Sequence, residues 1–277
     1  MKERYQDIED KNEKLRDTLQ THPRAQDFLE RFEMSWIFHD NALEGVVYAP
    51  QELAAAIRPG RAPVEASMQP AILEINNHKS AVDFARHEAK TSGRKGVVIT
   101  LNMVRHMHDL FLGNTTQAQA ARAATERRER TEKELVKERE RASFRKDMPL
   151  HRTYFHDIAQ PGKIQPLLEK LLELSSTSDF RESHPIKQAA TFQHQFLQIF
   201  PFSDHSGKVA RMFSNMFLLK SHFLPCVIHS VDRQRYYESL RGNNVAFRSL
   251  VMEAMENSLD NALKFFRDQG RVYKVNS

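Results

Sequence analysis

The stretch FPFSDHSGKVAR, residues 200–211, decides the fold of this chain. It joins two apolar segments that predict helices, HPIKQAATFQHQFLQIF and VARMFSNMFLLKSHF. The free amide groups at the start of the second helix, with its macrodipole, suit an anion such as phosphate. Asp204 suits magnesium, and Lys208 and Arg211, one helical turn apart, suit a polyphosphate. Taken alone, these residues favour the simpler alternative that Ser203 or Asp204 caps a core helix.

The composition predicts a mostly helical protein with little sheet. The chain has 277 residues, enough for a full core, and only nine glycines. Its single cysteine, Cys226, excludes an internal disulfide framework and suits a reducing compartment. The N-terminus has no apolar signal segment, and no stretch is apolar enough to span a bilayer. We therefore expect a soluble, cytoplasmic protein, with delivery to another cell left open.

The charge pattern argues against nucleic acid as a partner. The net charge of +5 permits an anionic partner without requiring one. Cations and carboxylates are interspersed, aromatic residues do not alternate with basic ones, and no nucleic-acid motif is present. We expect neither nucleic acid nor a membrane as a partner.

Apolar residues recur every three or four positions along most of the chain, which predicts helices. The helices are predicted from the start to about Phe38, from Pro50 to Pro59, around Ile72–Phe84, from Thr100 to Gly113, over IQPLLEKLLELS, on both sides of FPFSDHSGKVAR, and twice between Asp232 and Phe266. Residues 115–146 are dense in both charges and nearly free of large apolar residues, which favours an exposed helix. A partner-binding arm is the alternative there.

The central region resembles the Fic (Fido-fold) family. The signature of that family reads His-x-Phe-x-Asp/Glu-Gly-Asn-Gly/Lys-Arg-x-x-Arg. Here Phe202, Asp204, Gly207 and Arg211 match it, and Lys208 replaces the first arginine. The upstream helix, the downstream SNMFLL and the later VDRQRYYESL are also similar, so the resemblance covers roughly residues 99–240. It implies a mainly α-helical Fido fold.

The resemblance implies a nucleotide site that lacks its base. Such proteins typically transfer AMP from ATP, with Mg²⁺, to a hydroxyl of a target protein, and a histidine takes the proton of that hydroxyl. Phe200 occupies the position of that histidine, and Asp204 occupies the metal-binding position. His205 and Ser206 replace the Gly-Asn pair that wraps the phosphates. The expected nucleotide-binding residues are His205, Ser206, Gly207, Lys208 and Arg211, and we expect His194 to be a packed core histidine.

An inhibitory segment is expected near the N-terminus, at residues 40–45. HDNALEG resembles the family motif Ser/Thr-x-x-x-Glu-Gly/Asn, with Asp40 in place of the hydroxyl residue and still able to cap a helix. In the family this glutamate, here Glu44 before Gly45, pairs with the last arginine of the signature and blocks the productive pose of the γ-phosphate. The matching arginine is Arg211. The alternative is that Glu44 only ends an exposed helix.

The predicted organisation has three parts. Residues 1–95 form an N-terminal helical region, residues 96–240 the Fic core with the charged insertion 115–146, and residues 241–277 a helical extension. Residues 145–158 occupy the place of the family's flap, a small β-hairpin that binds the target segment by strand addition. Tyr154 and Phe155 are candidates for that contact or for core packing.

Three functional hypotheses follow. The chain is related to protein adenylyltransferases but is weak or inactive in standard AMP transfer, because phenylalanine accepts no proton. Alternatively, it is a divergent nucleotide-dependent transferase with changed base chemistry, or a non-catalytic regulator that binds nucleotide or protein. The protein target is unidentified, and self-association is left open.

Overall fold

The computed structural model describes residues 2–58, 60, 64–93, 96–113, 143–149 and 156–275. These residues form helices and connecting loops, and none of them lies in a β-strand. The first five helices are α1 (Lys2–Thr21), α2 (Ala25–Ala42), α3 (Pro50–Ile57), α4 (Gln69–Thr91) and α5 (Leu101–Leu112). The others are α6 (Ile164–Ser176), α7 (Ser178–Glu182), α8 (Pro185–Ile199), α9 (Ser206–Lys220), α10 (Arg233–Arg241) and α11 (Asn244–Val275). The mainly helical fold class is confirmed.

Most predicted helices are present, with one correction at the N-terminus. The first predicted helix is two helices, α1 and α2, separated by His22–Arg24. Pro23 lacks an amide hydrogen, so a continuous helix would lose a hydrogen bond there. The predicted ends of α5 are confirmed, because the Thr100 hydroxyl accepts the Met103 amide and Gly113 adopts φ 68°.

The helix pair α8 and α9 forms the centre of the molecule. Helix α9 is buried on all sides from Ser206 to Leu218, with α8 and α4 packed against it. Helix α4 also packs on α5 and α3, while α6 and α11 pack on α8. A helix apolar on every face is stable only when neighbours surround it. The loop 200–205 that joins α8 to α9 is therefore built into the core.

The N-terminal and C-terminal regions share this core. Helix α1 packs along α11, and the Arg4 guanidinium donates to both carboxylate oxygens of Glu256, at 2.6 and 2.7 Å. The buried Asn12 amide pairs with the backbone of His222 and Leu224, at 3.0 and 3.2 Å. The two ends of the chain thus lie side by side and enclose the α8–α9 pair from one face.

The C-terminal end of α8 is closed by residues from the predicted flap region. The last carbonyl groups of a helix have no partner inside it. The Arg145 side chain donates to the carbonyls of Phe200, at 2.7 Å, and Ile199, at 3.3 Å, while its amide donates to Pro201 at 2.9 Å. The Arg145 guanidinium also donates to the carbonyl of Ala159. Both flanks of the predicted flap are therefore fixed to the end of α8.

Two further contacts complete this closure. The His156 Nε2 lies 3.0 Å from the carbonyl oxygen of Leu197, and the Ala159 amide donates to Gln198 at 2.8 Å. Five consecutive carbonyls, from Leu197 to Pro201, are thus satisfied. The centre of the predicted flap 145–158, residues 150–155 with Tyr154 and Phe155, lies outside the described residues, as does nearly all of the charged insertion. The described flanks are irregular loops.

We predict that Arg145→Ala lowers the free energy of unfolding by about 3 kcal/mol, because it leaves buried carbonyls unpaired. Urea unfolding monitored by circular dichroism measures the loss. Arg105→Ala is the matched control, because Arg105 is exposed and lies over the Phe144 ring at 5.2 Å. Equal stability of the two variants would contradict the closing role of Arg145.

Candidate functional site at the start of helix α9

The loop before α9 is held in shape by protein contacts alone. The Ser206 hydroxyl accepts the amide of Phe202, at 2.8 Å, and donates to the Phe202 carbonyl, at 2.9 Å. The Phe202 ring stacks on His108 of α5, with centroids 3.7 Å apart and planes 2° from parallel. The His108 Nε2 lies 3.1 Å from the carbonyl oxygen of Asp204. These contacts join the loop to α5 and to the first turn of α9.

The Glu44 carboxylate lies directly above Gly207 in the first turn of α9. A Cβ atom placed on Gly207 would lie 2.2 Å from Glu44 Oε1 and 2.9 Å from Arg211 Nη1. Gly207 is thus required for close approach of the carboxylate, and its backbone has no positive φ. A carboxylate at a helix N-terminus is favoured by the macrodipole. The glutamate occupies the position that the sequence predicts for an anion.

Arg211 carries the largest set of polar contacts in the site. It is 5% exposed, and its Nη2 donates to Glu44 Oε1 at 2.8 Å, so the ion pair implied by the resemblance is present. Its Nε donates to the Asp40 carboxylate and its Nη2 to the Asp40 carbonyl, the latter at 3.1 Å. Its Nη1 lies 3.4 Å from the Tyr236 hydroxyl. Burial alone would lower the pKa of Arg211, but Asp40, Tyr236 and Glu44 raise it well above its usual value.

Asp40 does not cap a helix, which corrects the sequence expectation. Helix α2 continues to Ala42, so Asp40 lies in its last turn and points at Arg211. His78 of α4 supports it, with Nε2 3.0 Å from Asp40 Oδ2. Because Asn41 Nδ2 lies 2.8 Å from His78 Nδ1 and can only donate, the imidazole proton belongs on Nε2, facing Asp40. Burial would raise the pKa of Asp40, but Arg211 and His78 hold it below its usual value.

The turn that carries Glu44 is anchored from α10. The Leu43 carbonyl accepts from Arg233 Nε at 2.7 Å and from the Tyr237 hydroxyl at 2.8 Å. Gly45 follows with φ 89°, a conformation that suits glycine. The Glu44 side chain is 12% exposed, compared with 3% for Asp40. Glu44 therefore lies at the edge of the site and Asp40 in its interior.

Lys208 and His205 complete the predicted anion-binding residues. Lys208 is 6% exposed, and its ammonium lies 5.9 Å from the centre of the Phe111 ring. Within the part of the chain that the structure describes, no hydrogen bond or ion pair reaches this ammonium. His205 adopts φ 63° at the N-cap of α9, and burial, with the Lys208 charge, lowers its pKa to about 4. His205 is therefore neutral at physiological pH.

Phe200 and Asp204, both in the loop between α8 and α9, differ in solvent exposure. Phe200 is 2% exposed and adopts φ 48°, a left-handed conformation that a bulky residue rarely takes. Asp204 is exposed, so its carboxylate is open to solvent. No group of three or more His, Cys, Asp or Glu side chains suited to a metal exists among the described residues. A magnesium ion can bind through one carboxylate together with substrate phosphates, and Asp204 fits that role.

The sequence reasoning missed His78, Asn41, Tyr236, Arg145 and His108. His78 follows Ile75 by three positions and precedes Ala81 and Val82 on the same apolar face of α4. A polar residue on an apolar face was the available signal. Its partner Asp40 is 38 positions away, and only the fold reveals the pair. His194 is 4% exposed and its Nε2 lies 3.2 Å from the Gly242 carbonyl, which confirms the predicted core histidine.

Comparison with known proteins gives the family. Residues 98–218 match the model described as "Fic/DOC family". Residues 98–218 therefore form a Fic/DOC family domain. It is 25% identical over 231 residues to "Protein adenylyltransferase Fic" of Nematostella vectensis, covering 81% of this chain and 47% of that protein. A protein of the same name from Aedes aegypti is 27% identical over 104 residues, 36% of this chain and 21% of that protein. The chain thus spans about half or less of the length of these relatives.

Solved structures of Fic proteins share the fold. A Fic domain containing signalling protein from Bacteroides thetaiotaomicron has a TM-score of 0.69 at 17% identity, covering 94% of this chain and 97% of that one. Fic-1 from C. elegans, residues 134–508, also has a TM-score of 0.69, at 18% identity, covering 97% of this chain and 73% of that one. No helix in the described ranges is long and apolar enough to cross a membrane.

We predict that the protein loses stability on acidification from pH 7 to pH 5. The pKa of His108 is lowered to about 3 and that of His205 to about 4, in both cases chiefly by burial. The unfolded chain binds these protons near pH 6.5, so their stabilisation is present above that pH and is lost as the pH falls toward the folded values. At pH 5 buried His108 should lower the free energy of unfolding by about 2 kcal/mol relative to pH 7. Half-buried His205 should lower it by about 1 kcal/mol.

Urea unfolding at the two pH values measures this loss. His205→Asn is the control, because asparagine tolerates the left-handed conformation and does not titrate. It should reduce the difference between pH 7 and pH 5 by about 1 kcal/mol. A wild-type protein that is equally stable at both values would show that the buried histidines do not govern its acid response.

Proposed function

We propose that this chain is a nucleotide-binding Fic protein, related to protein adenylyltransferases, in which standard AMP transfer is weak or lost. The observation that carries the proposal is Phe200. It occupies the position of the family's base, at the end of α8, and its side chain is buried with 2% exposure. A buried hydrocarbon ring at this position cannot accept a proton from a target hydroxyl.

The residues present fit a bound ATP in part. The position above Gly207 holds a carboxylate, so an anionic oxygen is accommodated there next to the Arg211 guanidinium. Lys208 supplies a second cation one turn away, and exposed Asp204 is available for Mg²⁺. His205 stands where the family has glycine, and its imidazole lies near Phe111 of α5, with ring centroids 5.8 Å apart. We infer that ATP binds weakly while Glu44 is in place.

The chemistry explains why the base matters. In AMP transfer the target oxygen forms a bond to the α-phosphorus, pyrophosphate leaves, and the hydroxyl proton must pass to an acceptor. Loss of a general base typically costs about 10²–10⁴-fold in rate. His205 is a poor substitute, because its pKa of about 4 makes it a weak base and it lies beyond Asp204 in the loop. Positioning residues remain, but the proton acceptor does not.

Glu44 fits the role of an inhibitor of nucleotide binding. Its carboxylate lies over the first turn of α9 and bonds to Arg211, so an anion entering this position competes with it. It lies in a turn before Gly45 and is partly exposed, so it is able to leave. The target is a protein that we expect to bind near residues 145–158, which connect to the end of α8 through Arg145.

A second candidate function rests on the preformed loop. Because Ser206, Phe202 and His108 fix the loop without a ligand, the site is able to bind nucleotide or a protein segment with no reaction following. In this alternative the chain is a regulator that acts by binding. A divergent transferase, which uses another base, is the third possibility. A transfer assay separates the divergent transferase from the main proposal, because only that transferase labels protein without Phe200→His.

We predict no AMP transfer above background for the wild type or for Glu44→Gly, and detectable transfer for Phe200→His/Glu44→Gly. Histidine tolerates the left-handed backbone at position 200 better than phenylalanine, so the substitution is compatible with the fold. The restored base should raise the rate by about 10²-fold or more. Labelled ATP with purified protein and a cell lysate measures the transfer.

The control adds Asp204→Ala to the restored variant and should abolish transfer. His205→Gly should increase the restored rate further, because it opens the first turn of α9. Ser206→Asn is the less favourable addition, because Ser206 holds the backbone of Phe202. Clear self-labelling by Glu44→Gly alone would contradict the proposal and indicate a substitute base.

A further inference from the structure

Arg211 has two carboxylate partners that differ in position and in burial. Asp40 binds its Nε from within α2, and Glu44 binds its Nη2 from the turn after that helix. The Asp40 side chain is 3% exposed and the Glu44 side chain 12%. The sequence resemblance assigns inhibition to Glu44 alone and gives Asp40 no contact with Arg211.

The Asp40 carboxylate is enclosed by buried polar side chains. Its second oxygen faces His78 Nε2 at 3.0 Å, and His78 is itself held by Asn41 at 2.8 Å. The side chains of Asp40, Asn41 and His78 are all buried, with exposures of 1–3%. Moving Asp40 away would leave the buried Arg211 guanidinium without its interior carboxylate, which is strongly unfavourable. An incoming anion can therefore displace Glu44 but not Asp40.

The remaining charges then differ from those implied by the signature. Once Glu44 has left, Asp40 still neutralises Arg211, whose Nε and part of Nη2 stay occupied. Lys208 has no carboxylate partner among the described residues, and it lies next to Gly207 in the same first turn of α9. We propose that Asp40, fixed by His78, is a permanent counter-ion of Arg211, and that Lys208 is the principal cation for an anionic ligand at this site.

This inference rests on the proposed nucleotide site, and it adds a determinant of ligand charge. With Asp40 in place, Lys208 is the uncompensated cation that the described residues offer at this site, so its affinity for a polyphosphate is limited. Removal of Glu44 alone exposes the site but does not free Arg211. Asp40 is thus a positioning residue, because it acts on the ligand through the guanidinium that it holds.

A stability measurement tests the permanent role without any ligand. Asp40→Asn should lower the melting temperature by roughly 10 °C, because it leaves the Arg211 charge in the core. Glu44→Gln should shift it by no more than about 3 °C, since this carboxylate is partly exposed. Combining each with Arg211→Met completes two double-mutant cycles, and strong coupling is expected only for Asp40. Equal effects of Asp40→Asn and Glu44→Gln would overturn the proposal.

An ATP-binding measurement tests the role of Lys208. Calorimetry with ATP and Mg²⁺ in the Glu44→Gln background should show a loss of at least about tenfold for Lys208→Met and less than about threefold for Arg211→Lys. Asp40→Asn in that background should tighten binding by about tenfold, because it frees the Arg211 charge. The reverse order of Lys208→Met and Arg211→Lys would overturn the proposal, as would unchanged affinity on Asp40→Asn.

The two measurements separate this inference from the proposed function. If no variant binds ATP, the proposed nucleotide site and the proposed role of Lys208 are both wrong. The double-mutant cycles still show whether Asp40 is the counter-ion of Arg211. If Glu44→Gln binds ATP and Asp40→Asn is as stable as the wild type, the nucleotide site stands and the counter-ion role falls. If the protein folds with Glu44→Gln but not with Asp40→Asn, the permanent counter-ion role of Asp40 is supported. ATP binding by Lys208→Met in the Glu44→Gln background then tests the role of Lys208.

Discussion

The burial of one guanidinium group constrains the whole site. Arg211 lies in the most enclosed helix of the protein, where an unpaired charge would be strongly unfavourable. Its partners come from the end of α2, from the following turn and from α10, and α4 supports the first of these through His78. Elements that are far apart in the sequence are therefore held against α9 by the need to neutralise and hydrogen-bond this single side chain.

The same requirement gives Glu44 a structural reason to lie beside Arg211. A carboxylate near Arg211 contributes to charge balance whether or not the protein transfers AMP. Asp40 meets most of this need from the interior, so Glu44 is left in a position from which a ligand can displace it. Two acidic residues four positions apart, one in the last turn of α2 and one in the turn after it, thus differ in burial at the same guanidinium.

The loop between α8 and α9 shows a similar independence from catalysis. The carbonyls at the end of α8 are satisfied by Arg145, His156 and Ala159, and the start of α9 is closed by Ser206. The aromatic stack of Phe202 on His108 fills the space beneath the loop. All of these contacts are made by protein groups, and the side chain of Phe200 takes part in none of them.

The sequence by itself determined the helical class, the position of most helices and the central motif, because these depend on local periodicity and on a short, ordered motif. The Glu44–Arg211 pair was expected only from the resemblance to a family, and the structure contains it. Only the tertiary structure decided the partners of Asp40 and the closure of α8 by Arg145, which join residues 38 to 171 positions apart. A carboxylate four residues before a glutamate is compatible with a cap, an exposed charge or an ion pair. The choice depends on which cation the packed helices bring beside it, and no local pattern contains that information.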